Sequence, residues 1–76
     1  MIFIITFATV TDALAVEAYA AATGLGGEII ALPGYLKAGC GFAYEIDATN
    51  KEELATCLAE ARLPYETIEE AMTDSF

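Results

Sequence analysis

The chain opens on Ile2-Phe3-Ile4-Ile5-Thr6-Phe7-Ala8, a run of β-branched and aromatic residues in which Thr6 is the only polar side chain. The run is too short for a helix and does not alternate. It predicts a strand over residues 2–8, buried on both faces and central in its sheet. Residues 12–23 are dominated by alanine around Leu14, Val16, Glu17 and Tyr19 and predict a helix. Thr11 or Asp12 would cap its start, and Gly24 suits the left-handed position after it. Gly26 and Gly27 extend the turn. Because Gly24-x-Gly26-Gly27 follows a helix rather than a strand, it lacks the setting of a phosphate-binding loop. Residues 28–32 predict a second strand, stopped by Pro33-Gly34. Phe42-Ala43-Tyr44-Glu45-Ile46 alternates, with Phe42, Tyr44 and Ile46 on one face of a third strand. Thr49-x-x-Glu52 and Asn50-x-x-Glu53 are both capping patterns for a second helix. Leu54, Cys57, Leu58 and Ala61 form its apolar stripe, and Leu63-Pro64 ends it. Residues 65–70 predict a last strand, at an edge where charge is tolerated, and residues 71–76 a frayed tail.

The order is therefore β-α-β-β-α-β. One sheet and two helices on a single face make this an α+β, ferredoxin-like sandwich with a four-stranded antiparallel sheet, its first and third strands central. The pattern predicts a single domain over residues 1–76, ordered over about residues 2–70.

Composition narrows the function. The chain is 57% hydrophobic, enough for a modest core and too much for a disordered segment. Twelve acids against 3 bases give a net charge of −9. That surface repels phosphate backbones and anionic lipid, so the expected partners include neither nucleic acid nor membrane. No apolar run reaches the length of a membrane span. The apolar opening has no basic side chain before it, and Asp12 and Glu17 follow soon after, so it reads as a strand rather than a signal peptide. The 2 cysteines, Cys40 and Cys57, form no CxxC pair. A cytoplasmic chain with two reduced thiols is the expectation, with no metal site and no cofactor. There is no histidine, so the commonest general base and zinc ligand are missing.

The unusual local feature is Gly39-Cys40-Gly41. Two glycines strip the Cβ atoms from around a thiol, permit close approach by a ligand or partner, and allow positive φ. Successive N–H groups there can form a concavity that favours a thiolate, the reactive form of cysteine. Lys37, three residues earlier and one of the chain's 3 cations, would favour it further. Cys40 is thus a candidate reactive thiol, with Gly39, Gly41 and Lys37 around it. The same tripeptide also fits a tight turn in which a small apolar cysteine packs. Cys57, in the apolar stripe of the second helix, reads as a packed, inert thiol. Glu52 and Glu53 suit a helix first turn. Glu66, Glu69 and Glu70 suit a solvated edge strand. The first helix is apolar on most faces, which points to self-association or to docking of a partner through that helix or the open sheet face.

The opening Ile-Ile-Thr-Phe-Ala-Thr-Val-Thr-Asp-Ala-Leu-Ala-Val-Glu carries a wider pattern, together with Pro33, Ala38-Gly39-Cys40-Gly41-Phe42-Ala43 and Leu-Pro-Tyr-Glu after the second helix. Over about residues 3–70 it resembles the family described as putative selenium/sulfur carrier protein-like. The resemblance implies that Cys40 holds a terminal sulfur or selenium as a persulfide or perselenide, received from a donor protein and passed to an acceptor. The family's loop after the proline is commonly basic and serine-rich. Here it is Gly34-Tyr35-Leu36-Lys37-Ala38, with Lys37 the retained cation. The rival reading is a non-catalytic interaction or regulatory module whose Gly-Cys-Gly loop is only a turn.

Overall fold

The computed structural model describes residues 1–71. The tail predicted to fray lies outside them from residue 72 on. Ala71, included in that prediction, is tied down by its N–H to the Ile2 carbonyl at 2.9 Å. The elements are β1 (Ile2–Thr6), α1 (Val10–Thr23), β2 (Glu28–Ala31), β3 (Phe42–Asp47), α2 (Lys51–Glu60) and β4 (Thr67–Glu70). The sheet runs in the order β2-β3-β1-β4 with every neighbouring pair antiparallel. This is the α+β ferredoxin-like arrangement, and β1 and β3 are its central pair.

β1 is buried along nearly its whole length because both faces are covered. Phe3 and Ile5 face the helices, where they join Phe7, Tyr44, Ile46 and Ile68 against Ala13, Val16, Ala20, Leu54 and Leu58. Ile4 faces the other way, yet only 2% of it is exposed. Its register neighbours on that face are Glu45 and Glu69, and Glu45 in turn stands beside Glu28. The row across the four strands therefore reads Glu28, Glu45, Ile4, Glu69. The glutamate stems shelter the isoleucine while their carboxylates stay in water. In the next row the Thr6 and Thr67 hydroxyls lie 2.7 Å apart, and Thr6 Oγ1 also accepts the Thr67 N–H at 3.1 Å. Thr6, the one polar residue of the opening run, is thus fully buried and fully paired.

Several boundaries differ from the pattern-based expectation. β1 stops at Thr6, not residue 8, because the Thr6 carbonyl accepts the Glu66 N–H and the Phe7 carbonyl accepts the Cys40 N–H. α1 begins two residues early. Its N-cap is Thr9, in extended conformation, whose hydroxyl accepts the Asp12 N–H at 3.2 Å. Asp12 thus serves as the third helical residue rather than the cap. α2 is capped by Asn50, which accepts the Glu53 N–H at 2.8 Å. It ends at Glu60, ahead of Leu63-Pro64, because Arg62 adopts a left-handed φ of 58° and the Leu63 N–H closes back on the Leu58 carbonyl.

Tyr44 locks β3 to the turn before β2. Its ring is buried and its hydroxyl donates to the Gly26 carbonyl at 2.6 Å. Burial pushes the Tyr44 hydroxyl above the usual 10.0, and the Glu17 and Glu28 carboxylates push the same way. The unfolded chain therefore ionises first as pH rises. The stability Tyr44 contributes is complete below that ordinary value and is lost as pH climbs towards the folded one. Urea unfolding at about pH 9 and about pH 11 should show a loss in the wild type that is smaller in Tyr44→Phe.

Candidate functional site

The connection between β2 and β3 carries Gly39-Cys40-Gly41 to the C-terminal end of β1. It is fastened at several points. The Leu32 N–H donates to the Gly41 carbonyl at 2.9 Å and closes the connection on itself. The Cys40 N–H donates to the Phe7 carbonyl at 3.2 Å. The Gly39 N–H donates to Glu66 Oε1 at 2.7 Å, across 27 positions of sequence. Glu66 is itself pinned, because its N–H reaches the Thr6 carbonyl at 2.7 Å. Two bonds from two different parts of the sheet therefore hold the backbone on either side of the peptide that leads into the cysteine. This is short, charge-assisted anchoring of an otherwise irregular segment.

The glycines do not act as the sequence suggests. Neither Gly39 nor Gly41 lies in the left-handed region, which among the glycines is taken by Gly24, Gly26 and Gly27. Gly39 serves close packing instead. A Cβ there would fall 2.6 Å from the Ala8 carbonyl oxygen. Gly41 faces open space. The anion-binding concavity expected of this tripeptide is also partly filled, since the Gly39 N–H is taken by Glu66 and the Cys40 N–H by Phe7. Lys37 is exposed and forms no ion pair among the described residues.

Cys40 itself is half-buried, with one side against the core cluster. Its S–H is directed at the Phe42 carbonyl at 3.3 Å, at the protein surface. The thiol is neither fully extruded nor sealed beneath side chains.

Cys57 is less deeply packed than its place in the α2 stripe predicts. It too is half-buried, and its sulfur lies 3.7 Å from the Tyr19 hydroxyl, bridging α2 to α1. That hydrogen bond is the main cause that raises Tyr19 above the ordinary tyrosine value. Nothing in the spacing of Tyr19 and Cys57 announces this contact, because it depends on how the two helices are set side by side. Both cysteines are free. Cys57 lines a cleft with Ile46 and Asp47, whereas the Cys40 N–H donates to the Phe7 carbonyl. No three His, Cys, Asp or Glu side chains converge into a metal-sized cluster among the described residues. None of the described helices is long and apolar enough to cross a membrane.

Residues 3–70 match the family model described as Putative Se/S carrier protein-like. The chain belongs to that family. The match runs from the first residues of β1 to the end of β4 and includes the whole Gly39-Cys40-Gly41 loop. No curated protein and no solved structure matches the chain. In this Se/S carrier-like family member, Cys40 is the cysteine of the β2–β3 connection that the match includes.

Proposed function

We propose that this chain is a sulfur or selenium carrier whose cargo rides on Cys40 as a persulfide or perselenide. The observation that carries the reading is a half-buried cysteine on a loop anchored from two sides, in a chain that belongs to this family. The chemistry needs no cofactor. The Cys40 thiol first yields its proton to solvent. Its thiolate then attacks the outer sulfur of a donor persulfide, R–S–SH. A bond forms between Cys40 Sγ and that sulfur while the bond to the donor's inner sulfur breaks. The donor leaves as R–S⁻, and the moving sulfur keeps its proton. No net oxidation or reduction occurs, and the reverse step delivers the atom to an acceptor thiolate. Gly41, facing open space, leaves room for the extra atom, and Gly39 lets the loop lie close against Ala8. Lys37 adds an exposed positive charge on the same loop. The partners are sulfur or selenium donor and acceptor proteins in a reducing compartment, the cytoplasm.

Intact mass after incubation with glutathione persulfide tests the proposal. The wild type and Cys57→Ser should each gain one sulfur atom, reversibly with dithiothreitol. Cys40→Ser should gain none. Equal gain in Cys40→Ser, or no gain in the wild type, would sink the carrier reading.

A further inference from the structure

β4 closes the sheet at the end away from β2, and its outer edge pairs with nothing among the described residues. Between that edge and α2 lies a cleft of about 310 Å³. Lys51 and Ala55 reach it from one flank of α2, being four positions apart. Tyr65, Glu66 and Ile68 form the other wall. Thr67 and Glu69 line it as well, but the register turns their side chains to the helix-free face, beside Thr6 and Ile4, so what they bring is backbone. The volume is at the lower end of the range for small-molecule sites.

Two charges of opposite sign belong to this cleft and do not meet. Lys51 and Glu66 form no ion pair with each other or with any other side chain among the described residues, and both are exposed. Glu66 gives one carboxylate oxygen, Oε1, to the Gly39 N–H at 2.7 Å. Its other oxygen, Oε2, accepts no hydrogen bond among the described residues. Ala55, Tyr65 and Ile68 add apolar surface. The cleft therefore offers one small molecule a cation, a half-used carboxylate and an apolar wall. The link to the cysteine loop is direct, since the carboxylate in the cleft is the one that fastens Gly39.

We infer that the cleft between α2 and β4 binds a free α-amino acid with a short apolar side chain. The ligand's carboxylate pairs with Lys51, its ammonium with Glu66 Oε2, and its side chain lies on Ala55, Tyr65 and Ile68. Charge decides the class. A simple carboxylate or a simple amine answers only one of the two protein charges, and a multiply anionic ligand is opposed by the net charge of −9. Because Glu66 also holds the Gly39 N–H, the bound amino acid steadies the loop that carries Cys40. Opening the loop by moving Glu66 then loses the ligand contact as well, so occupancy of the cleft and closure of the loop favour each other. The inference goes beyond the carrier reading above and does not rest on it.

The probe is L-norvaline, titrated into ¹⁵N-labelled full-length protein and followed by amide NMR. Shifts should concentrate on residues 51–55 and 65–69. Pentanoate lacks the ammonium and butylamine lacks the carboxylate, and each should bind roughly tenfold more weakly than norvaline. In Lys51→Gln norvaline should bind no better than butylamine, and in Glu66→Gln no better than pentanoate. Both positions are exposed, and two separate variants guard against one failing to fold. Hydrogen exchange at the Gly39 amide should slow roughly tenfold when norvaline is present at about ten times its Kd. The inference is overturned by shifts confined to other surfaces, by no shifts at all, by equal binding of pentanoate or butylamine, or by wild-type affinity in Lys51→Gln. Norvaline bound in the cleft with unchanged exchange at Gly39 overturns the coupling to the loop. Glutathione persulfide loading of the unaltered protein is a separate readout. Norvaline binding without loading removes the carrier reading and leaves the cleft. Loading without norvaline binding does the reverse.

Discussion

Gly27→Ala is expected to destabilise the protein by about 2–5 kcal/mol, a large part of what a chain this short holds in reserve. Two effects add. Gly27 sits at φ +88°, where a side chain costs about 1–2 kcal/mol. Its Cβ would also fall 2.5 Å from Tyr44 Cε2 and 2.6 Å from the Glu45 carbonyl oxygen. Neither neighbour can step aside cheaply. The Tyr44 ring is 2% exposed and its hydroxyl is held by the Gly26 carbonyl, and the Glu45 carbonyl belongs to the central strand β3. Gly26→Ala is the matched control. It has nearly the same φ, +87°, and nothing within 4 Å of its Cβ. It should show the conformational term alone. Urea midpoints measured on both variants separate the terms. Equal losses would mean that the Tyr44 contact carries no weight.

This pair shows where sequence reading reaches and where it stops. The glycine cluster after α1 is legible as a turn, and Gly24 takes the left-handed cap conformation that its position predicts. That a Cβ on Gly27, alone of the three, would collide with β3 is not legible, because the contact joins residues that only the sheet brings together. The same division holds for the whole chain. Unbroken apolarity marks β1 as central, and alternation in Phe42-Ala43-Tyr44-Glu45-Ile46 sets the face of β3, because burial repeats with the local period. Caps are nearly legible. Asn50 is one of the two alternatives, while Thr9 is hidden because the run Phe7-Ala8-Thr9-Val10 continues the composition of a strand.

The site is less legible still. Gly39-Cys40-Gly41 stands out by composition, yet Gly39 is used for packing against Ala8 and neither glycine takes a left-handed turn. The carboxylate that fastens the loop, Glu66, looks from sequence like one more solvated acid near an edge strand. Its partner lies 27 positions away, and no local pattern distinguishes it from Glu69 or Glu70. Tyr19 and Cys57 meet across 38 positions for the same reason. Hydrophobic periodicity encodes which face is buried. It does not encode which polar atom on one element will find which on another.

Gly39→Ala should loosen the cysteine loop while leaving the sheet intact. Its Cβ would fall 2.6 Å from the carbonyl oxygen and 3.0 Å from the Cα of Ala8, both backbone atoms. Ala8 follows the fully buried Phe7, so the end of β1 holds and the loop moves. That movement strains or breaks the Gly39 N–H bond to Glu66 and the Cys40 N–H bond to Phe7. Overpacking of this kind costs about 1–3 kcal/mol, and each hydrogen bond lost about 0.5–1.5 kcal/mol. These costs fall on a connecting loop, which relaxes where the central strand met by Gly27→Ala does not. Hydrogen exchange at the Gly39 and Cys40 amides should rise in Gly39→Ala, and iodoacetamide should alkylate Cys40 faster as its half-buried side comes free. Gly41→Ala, whose Cβ enters open space, should leave both readouts near wild type. Glu66→Ala should reproduce part of the exchange effect, and Glu66→Gln, which keeps an acceptor for the Gly39 N–H, should restore protection. If Gly39→Ala instead leaves amide protection and alkylation unchanged, the loop is not held by Ala8, and the thiol's setting comes from Glu66 and Phe7 alone.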